Sequence, residues 1–342
     1  MNSSRILPTS RRGFLAAGGA LGAGALLTAC GSGSGSSPDD GAAADTTDAW
    51  TFTDDRGETA SADSVPSTIV AFVGSAAVLH DFGIECAGVF GPTVRGDGEP
   101  DVQAGDIDVD KVTVLGNAWG EFNVEEYVLL EPDLLVTNMF DPQSLWYVPE
   151  DSAEKILAQA PSVGIGVAST TLTAPIQRYA ELAESLGADL SAGPVTEARQ
   201  RFEEASENLR RAARDNPGIT VLAASASPDL FYASDPAASA DLTYFTELGV
   251  DIITPEDVEG GYFESLSWEN ADRYDADVIL LDNRSSALQP SDLGDKPTWG
   301  RLAAVEAGQI VPWHSEPRYS WAGCAPLLEE LAEAIRDARK VS

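Results

Sequence analysis

Histidine and cysteine are scarce in this sequence of 342 residues, and the motifs that most often carry catalysis are missing. There are two histidines, His80 and His314, in different halves of the chain, and three cysteines. No His/Cys cluster has the spacing of a metal site, and neither a G-x-S-x-G motif nor a G-x-x-x-x-G-K phosphate loop occurs. His80 lies within a helical pattern, where a packed histidine is commoner than a general base. Nothing in the sequence therefore argues for an enzyme, and we expect no catalytic activity, no resident cofactor and no directly bound metal.

Basic residues are also few. The chain has 21 lysines and arginines against 55 aspartates and glutamates, a formal net charge of −34. Three arginines and no acid fall in the first 29 residues, which leaves 18 basic residues against 55 acidic ones and a charge of −37. A surface of this sign argues against nucleic-acid binding. We interpret the charge as a solvated acidic surface that keeps the protein soluble.

A long hydrophobic run is absent even at the amino terminus. The stretch TSRRGFLAAGGALGAGALLTAC, residues 9–30, has two arginines, a short run of mostly small apolar residues, and then Cys30. That run is too short and too poor in large side chains to span a bilayer well, and the order is typical of an export signal. Arg11 and Arg12 resemble the twin-arginine export motif. Leu27–Cys30 resembles a bacterial lipobox, whose cysteine carries lipid; the alternative is an ordinary cleaved signal with a chance cysteine.

The other two cysteines, Cys86 and Cys324, lie far apart in the chain. We expect two free and mostly buried thiols, with a disulfide in an oxidising compartment as the alternative. The residues after Cys30, GSGSGSSPDDGAAADTTD, contain no large apolar side chain and predict a flexible tether.

Downstream of the tether, strand patterns alternate with helix patterns, which predicts mainly parallel sheets. One helix is longer than the others, and its apolar stripe runs through Phe202 and Leu209. We therefore predict an α/β fold with two α/β lobes joined by one long backbone helix. The predicted domains are the signal peptide (1–29), the lipidated cysteine and tether (30–49), the amino-terminal lobe (50–190), the backbone helix (191–216) and the carboxy-terminal lobe (217–342).

The two lobes share a local pattern. NVEEYVLLEPDLLV matches SWENADRYDADVIL, and the spacing from Glu125 to Asp133 equals that from Glu269 to Asp277. The pattern predicts two related halves with a cleft between them, and ligands usually bind in such clefts.

These features together resemble the helical-backbone (class III) substrate-binding lipoproteins of bacterial ABC importers, from about Trp50 onward. The resemblance rests on four stretches in the family's order: WTFTDDRGETASADSVPSTIVAF, NVEEYVLLEPDLLV, LSWENADRYDADVILLDN and PTWGRLAAVEAGQIVPW. Among the branches of the family, the ferric-siderophore branch is the most similar. The resemblance implies an extracytoplasmic protein that is lipid-anchored to the cell membrane after twin-arginine export. It also implies a monomer that delivers an Fe(III)-siderophore to a permease dimer and its ATPase.

Aromatic and arginine side chains after the strands are the candidate ligand-binding residues, because aromatic faces contact organic chelates and arginine donates to their oxygens. They are Arg95, Trp119, Phe140, Tyr232, Tyr262, Trp313, Arg318, Tyr319 and Trp321, with Tyr147 and Phe263 as further candidates. By resemblance, Glu125 and Glu269 are the permease-docking residues.

Two rival functions stay open at this stage. One keeps the fold and replaces the siderophore by cobalamin or haem, for which His314 or Tyr319 could supply an axial ligand. The other is a secreted lipoprotein hydrolase.

Overall fold

The computed structural model describes residues 49–296 and 298–342. The predictions for the export signal, for Arg11 and Arg12, and for lipidation of Cys30 lie outside these residues. Within them, the chain forms two α/β lobes with a pair of long helices packed along both.

A β-hairpin opens the described chain and packs on the amino-terminal lobe. Its strands are β1 (Trp50–Thr53) and β2 (Thr59–Ala62), which pair antiparallel. Asp54, in the turn, accepts a hydrogen bond from the backbone of Gly164 at 2.9 Å. The same carboxylate pairs with Arg56, so the turn is fixed to the lobe by a buried charge pair.

The amino-terminal lobe is a five-stranded parallel sheet in the order β5-β4-β3-β6-β7. Its inner strands are buried along their whole length because helices cover both faces. The strands are β3 (Ile69–Phe72), β4 (Gly88–Phe90), β5 (Thr113–Val114), β6 (Leu134–Met139) and β7 (Ser162–Gly166). The helices are α1 (Val73–Asp81), α2 (Val124–Leu129), α3 (Glu150–Leu157) and α4 (Thr173–Ser185).

The predicted long helix is α5 (Gly193–Asp215). Pro194 lies in its first turn, where its missing N–H costs no helical hydrogen bond. Its buried stripe includes Phe202 and Leu209. The final helix, α8 (Trp321–Asp337), packs along α5 and also contacts α1. The link between the lobes is therefore a helix pair.

The carboxy-terminal lobe is a mixed six-stranded sheet in the order β11-β9-β8-β12-β13, with β10 also on β8. β8, β10, β12 and β13 run parallel, whereas β9 and β11 are antiparallel to their neighbours. The strands are β8 (Thr220–Ala226), β9 (Leu230–Ser234), β10 (Asp251–Ile252), β11 (Phe263–Ser267), β12 (Val278–Asp282) and β13 (Ile310–Trp313). The helices are α6 (Ala240–Glu247) and α7 (Ala303–Glu306).

The two half-repeats occupy the same place in their lobes. The backbone N–H of Asp133 donates to Thr68 at 2.9 Å, and that of Asp277 donates to Thr220 at 3.0 Å. Both carboxylates accept from the same threonines in return. Each aspartate thus lies just before one central strand and hydrogen-bonds to the start of the strand beside it. Asp133 links β6 to β3 in this way, and Asp277 links β12 to β8.

The predicted fold class, two α/β lobes with mainly parallel sheets and a long backbone helix, is confirmed. Across residues 49–296 and 298–342, no helix is both long and apolar enough to cross a membrane.

Candidate functional site

A cavity of about 460 Å³ lies between the lobes, where the carboxyl ends of their strands meet. The amino-terminal lobe contributes the ends of β6 and β7, and the carboxy-terminal lobe contributes the ends of β8, β12 and β13. This is where ligands bind in open α/β sheets, because the loops after the strands supply side chains that the strands themselves hold in place.

Aromatic rings form much of the cavity wall. Phe140 and Trp146 lie on the amino-terminal side, with ring centroids 4.6 Å apart. On the other side Tyr232 packs edge-on against Phe263 at 4.9 Å. The other aromatic lining residues are Tyr262, Trp313 and Tyr319. Such a wall offers large flat contact area to an organic ligand.

A buried charge cluster stands at the cavity floor. Arg284, two residues after β12, donates to Asp282 through Nη2 at 2.7 Å and to Glu316 through Nη1. The side chain of Asp282 is fully buried and that of Glu316 is nearly so, whereas the side chain of Arg284 is 28% exposed. Burial would lower the pKa of Arg284, but these two carboxylates outweigh burial and raise it. Arg284 is therefore charged at any accessible pH, with an edge toward the cavity.

The orientation of Trp313 is fixed by a hydrogen bond to a buried carboxylate on the side away from the cavity. Its indole Nε1 donates to the carboxylate of Asp241 at 2.7 Å, in the first turn of α6. Asp241 is 1% exposed, and burial raises its pKa to about 6.

Several hydrogen bonds cross the cleft. The hydroxyl of Tyr262 donates to the carbonyl of Phe140 at 2.8 Å and to Asp141 at 2.9 Å. Glu316 accepts from the indole of Trp146 at 3.2 Å and from the amide of Gln103 at 2.5 Å. The lobes are thus joined at the cavity itself as well as along the helix pair.

Five of the nine predicted ligand-binding residues line the cavity: Phe140, Tyr232, Tyr262, Trp313 and Tyr319. Phe263, a further candidate, lines it too. Phe140, Trp313 and Tyr319 lie at or after the carboxyl ends of β6 and β13, as the rule that selected them expects. Tyr262 and Phe263 lie instead at the amino end of β11, and Tyr232 lies within β9.

The other four lie outside the lining. Arg95 sits in a surface loop, 4.0 Å from Asp97, and Trp321 is buried at the start of α8. Trp119 is 64% exposed and leans edge-on against Trp146 at 4.8 Å.

Arg318 is engaged by acids from the amino-terminal lobe. It pairs with Asp81 at 3.2 Å and with Asp106 at 2.8 Å. Tyr147, the remaining candidate, stacks on Phe72 away from the cavity. His314 is also absent from the lining and contacts the amide of Asn283 at 3.2 Å.

Four other residues of the lining were not predicted from the sequence: Trp146, Asp282, Arg284 and Glu316. Arg284 could have been found, because it follows the apolar strand pattern VILLD by two positions. Glu316 follows β13 by three positions, and the structure pairs it with Arg284. Trp146 belongs to a loop whose path the sequence pattern does not fix.

The predicted docking residues are exposed and equivalently placed. Glu125 lies in the first turn of α2 after the capping residue Asn123, and Glu269 lies in a short 3₁₀ turn, Trp268–Asn270, after Ser267. The amide of Glu269 and the hydroxyl of Ser267 lower the pKa of Glu269.

Cys86 and Cys324 are both free thiols, as expected. Among the residues that the structure describes, no group of three or more histidine, cysteine, aspartate or glutamate side chains is placed to hold a metal ion.

Comparison with known proteins finds a matching family model and similar solved structures. The family model described as periplasmic binding protein matches residues 92–317. DesE, a ferric-siderophore receptor protein from Streptomyces coelicolor, is 55% identical over 86% of this chain and 100% of its own, with a TM-score of 0.84. No curated protein sequence matches significantly.

More distant solved structures share the fold. The petrobactin-binding protein YclQ from Bacillus subtilis is 16% identical, covers 85% of this chain and 99% of its own, and has a TM-score of 0.65. The siderophore periplasmic binding protein from the fuscachelin gene cluster of Thermobifida fusca is 22% identical, covers 79% and 96%, and has a TM-score of 0.57.

Proposed function

The chain belongs to the periplasmic binding protein family, and on that premise we propose that it captures a ferric siderophore outside the cytoplasm and delivers it to an ABC importer. The observation that carries the proposal is the 55% identity to a ferric-siderophore receptor over the full length of that protein. The ligand is cargo rather than a cofactor, and no catalytic role is assigned to any residue.

The cavity chemistry supports a preformed chelate as the cargo. Aromatic rings from both lobes can contact the organic shell of a chelate, and Arg284 presents donors to its oxygens. Because two carboxylates hold Arg284, the N–H donors of its guanidinium are oriented before the ligand arrives. Little conformational entropy is then lost on binding.

Tryptophan fluorescence tests the function directly, because Trp146 and Trp313 line the cavity. A ferric siderophore that fits should quench it saturably with a sub-micromolar Kd, about −8 kcal/mol or better. Arg284→Lys keeps the charge but loses the fork, so it should weaken binding by about tenfold, or ~1.4 kcal/mol.

Arg95→Lys is the matched control, because Arg95 lies outside the cavity, and it should bind as the wild type does. Tight binding of cobalamin or haem with no saturable quenching by any iron chelate would reject the assignment.

We further propose that the protein is anchored to the membrane through lipid on Cys30 after export by the twin-arginine route. The proposal rests on the sequence motifs alone. Replacing Cys30 by alanine should move the exported protein from the detergent phase to the aqueous phase, and a wild-type protein that is already aqueous would contradict the anchor.

Delivery requires contact with the permease, and we propose Glu125 and Glu269 as the docking residues. Both are exposed acids in equivalent positions, one on each lobe, which suits a two-subunit channel. Complementary charges at the rim of an interface set orientation and partner choice.

A further inference from the structure

The charges around the cavity are unequal. Among the described residues, three carboxylates line it, those of Asp141, Asp282 and Glu316, against the single guanidinium of Arg284. The lining therefore has a formal charge of −2. In a protein whose ligand was an anion, the opposite balance would be expected.

The single cation of the lining is already compensated. Arg284 contacts both Asp282 and Glu316 directly, so it can donate a hydrogen bond to a ligand oxygen without offering a net positive field. Burial raises the pKa of Glu316. If Glu316 were protonated, the lining would still carry −1, so the sign of the charge does not depend on that group.

The two predicted arginines outside the lining, Arg318 and Arg95, add no free positive charge either. Arg318 is shared between Asp81 and Asp106, and Arg95 lies beside Asp97. Asp141, by contrast, is an exposed acid at the cavity wall, and the structure pairs it with the Tyr262 hydroxyl rather than with a cation.

Aromatic faces strengthen this bias. A π face attracts a cation, and the attraction grows when water is excluded, whereas like charges brought together in a desolvated site cost several kcal/mol. We propose that the cavity selects ferric chelates of zero or positive net charge, in particular those with a protonated amine, and discriminates against anionic ones. This inference rests on the proposed chelate-binding function and deepens it.

A matched set of ligands isolates charge from shape. The probes are one linear ferric trihydroxamate whose terminal amine is free, acetylated or succinylated, which gives net charges of about +1, 0 and −1 on the same neutral iron core. Kd should be lowest for the amine form and higher for the succinylated form by on the order of tenfold or more at low salt. This difference in Kd between the amine and succinylated forms should become smaller at 0.5 M NaCl, because salt screens the charges but leaves the shape of the ligands unchanged.

A pair of variants assigns the effect to the cavity. Asp141→Asn removes one lining charge and should reduce the difference in Kd between the amine and succinylated forms several-fold. Asp63→Asn removes an exposed acid that lies outside the cavity and pairs with no described cation, and it should leave the difference in Kd unchanged.

The possible results separate the two proposals. Equal or tighter binding of the succinylated form, or a tighter Kd for a ferric tris-catecholate of charge −3, would overturn the charge selection and leave chelate binding intact. Absence of binding by every ferric chelate would overturn the proposed function and the selection with it.

Discussion

Asp241 is a buried carboxylate whose proton depends on the fold. Its pKa is raised by burial to about 6, whereas an aspartate in an unfolded chain titrates near ~3.9. Because the folded state holds the proton more tightly, the group favours folding below about pH 4, and that contribution is lost as the pH rises through about 6.

Replacement of Asp241 by asparagine removes the titration while keeping an oxygen for Trp313. The free energy of unfolding of the wild type, relative to the variant, should fall by roughly 2–3 kcal/mol between pH 4 and pH 7. Urea unfolding of both proteins at several pH values measures this difference. If the free energy of unfolding changed with pH in the same way in both proteins, the raised pKa of Asp241 would be contradicted.

The sequence places a residue at the cavity correctly when its position at the carboxyl end of a strand decides where it lies. It fails when an ion pair with a distant segment decides where the side chain lies. Phe140 follows β6 and Trp313 ends β13, and both reach the cavity. Arg318 also follows a strand, but two acids of the other lobe, Asp81 and Asp106, engage it. Pairing between segments more than 200 residues apart leaves no periodic signal in the sequence.

The helix pair α5–α8 is the element that carries both lobes. Leu209 of α5 is fully buried in the core that α8 shares, whereas Arg201 and Glu329 form an exposed ion pair between the same helices at 2.6 Å. Apolar burial and surface charge can therefore be compared across one interface.

Leu209→Ala should lower the free energy of unfolding by about 2–5 kcal/mol, because it removes buried contacts and leaves a cavity. Arg201→Ala should cost less than about 1 kcal/mol, since exposed ion pairs contribute little. Chemical denaturation compares the two. A larger loss for Arg201→Ala would show that the pair is held by charge rather than by packing.

Helical elements were easier to predict than edge strands. The stripe through Phe202 and Leu209 repeats every three or four residues, which is sufficient to define α5. Strand β11 went unpredicted because one of its two buried positions holds Glu264 rather than an apolar residue, so its sequence lacks the apolar alternation of a strand. It is followed at once by a single 3₁₀ turn, Trp268–Asn270.

At the scale of the whole molecule, the docking proposal depends on the equivalence of the lobes. Glu125→Arg together with Glu269→Arg should leave chelate affinity unchanged and lower uptake by a reconstituted importer roughly tenfold or more, because like charges would then face the permease. Glu154→Arg with Glu306→Arg, two exposed acids with one on each lobe, makes the same change in net charge and should leave uptake intact. Loss of chelate binding in the first variant would place those glutamates in the cleft or the core instead.

Helix α8 also bears on how the protein is made. It is encoded after every strand of both lobes, yet Trp321 at its start packs edge-on against Phe82 of the amino-terminal lobe at 5.6 Å. An amino-terminal domain usually folds while the ribosome is still synthesising the rest. Here the amino-terminal lobe keeps an apolar face uncovered until α8 has been synthesised, so its core is completed only after the strands of both lobes have been made.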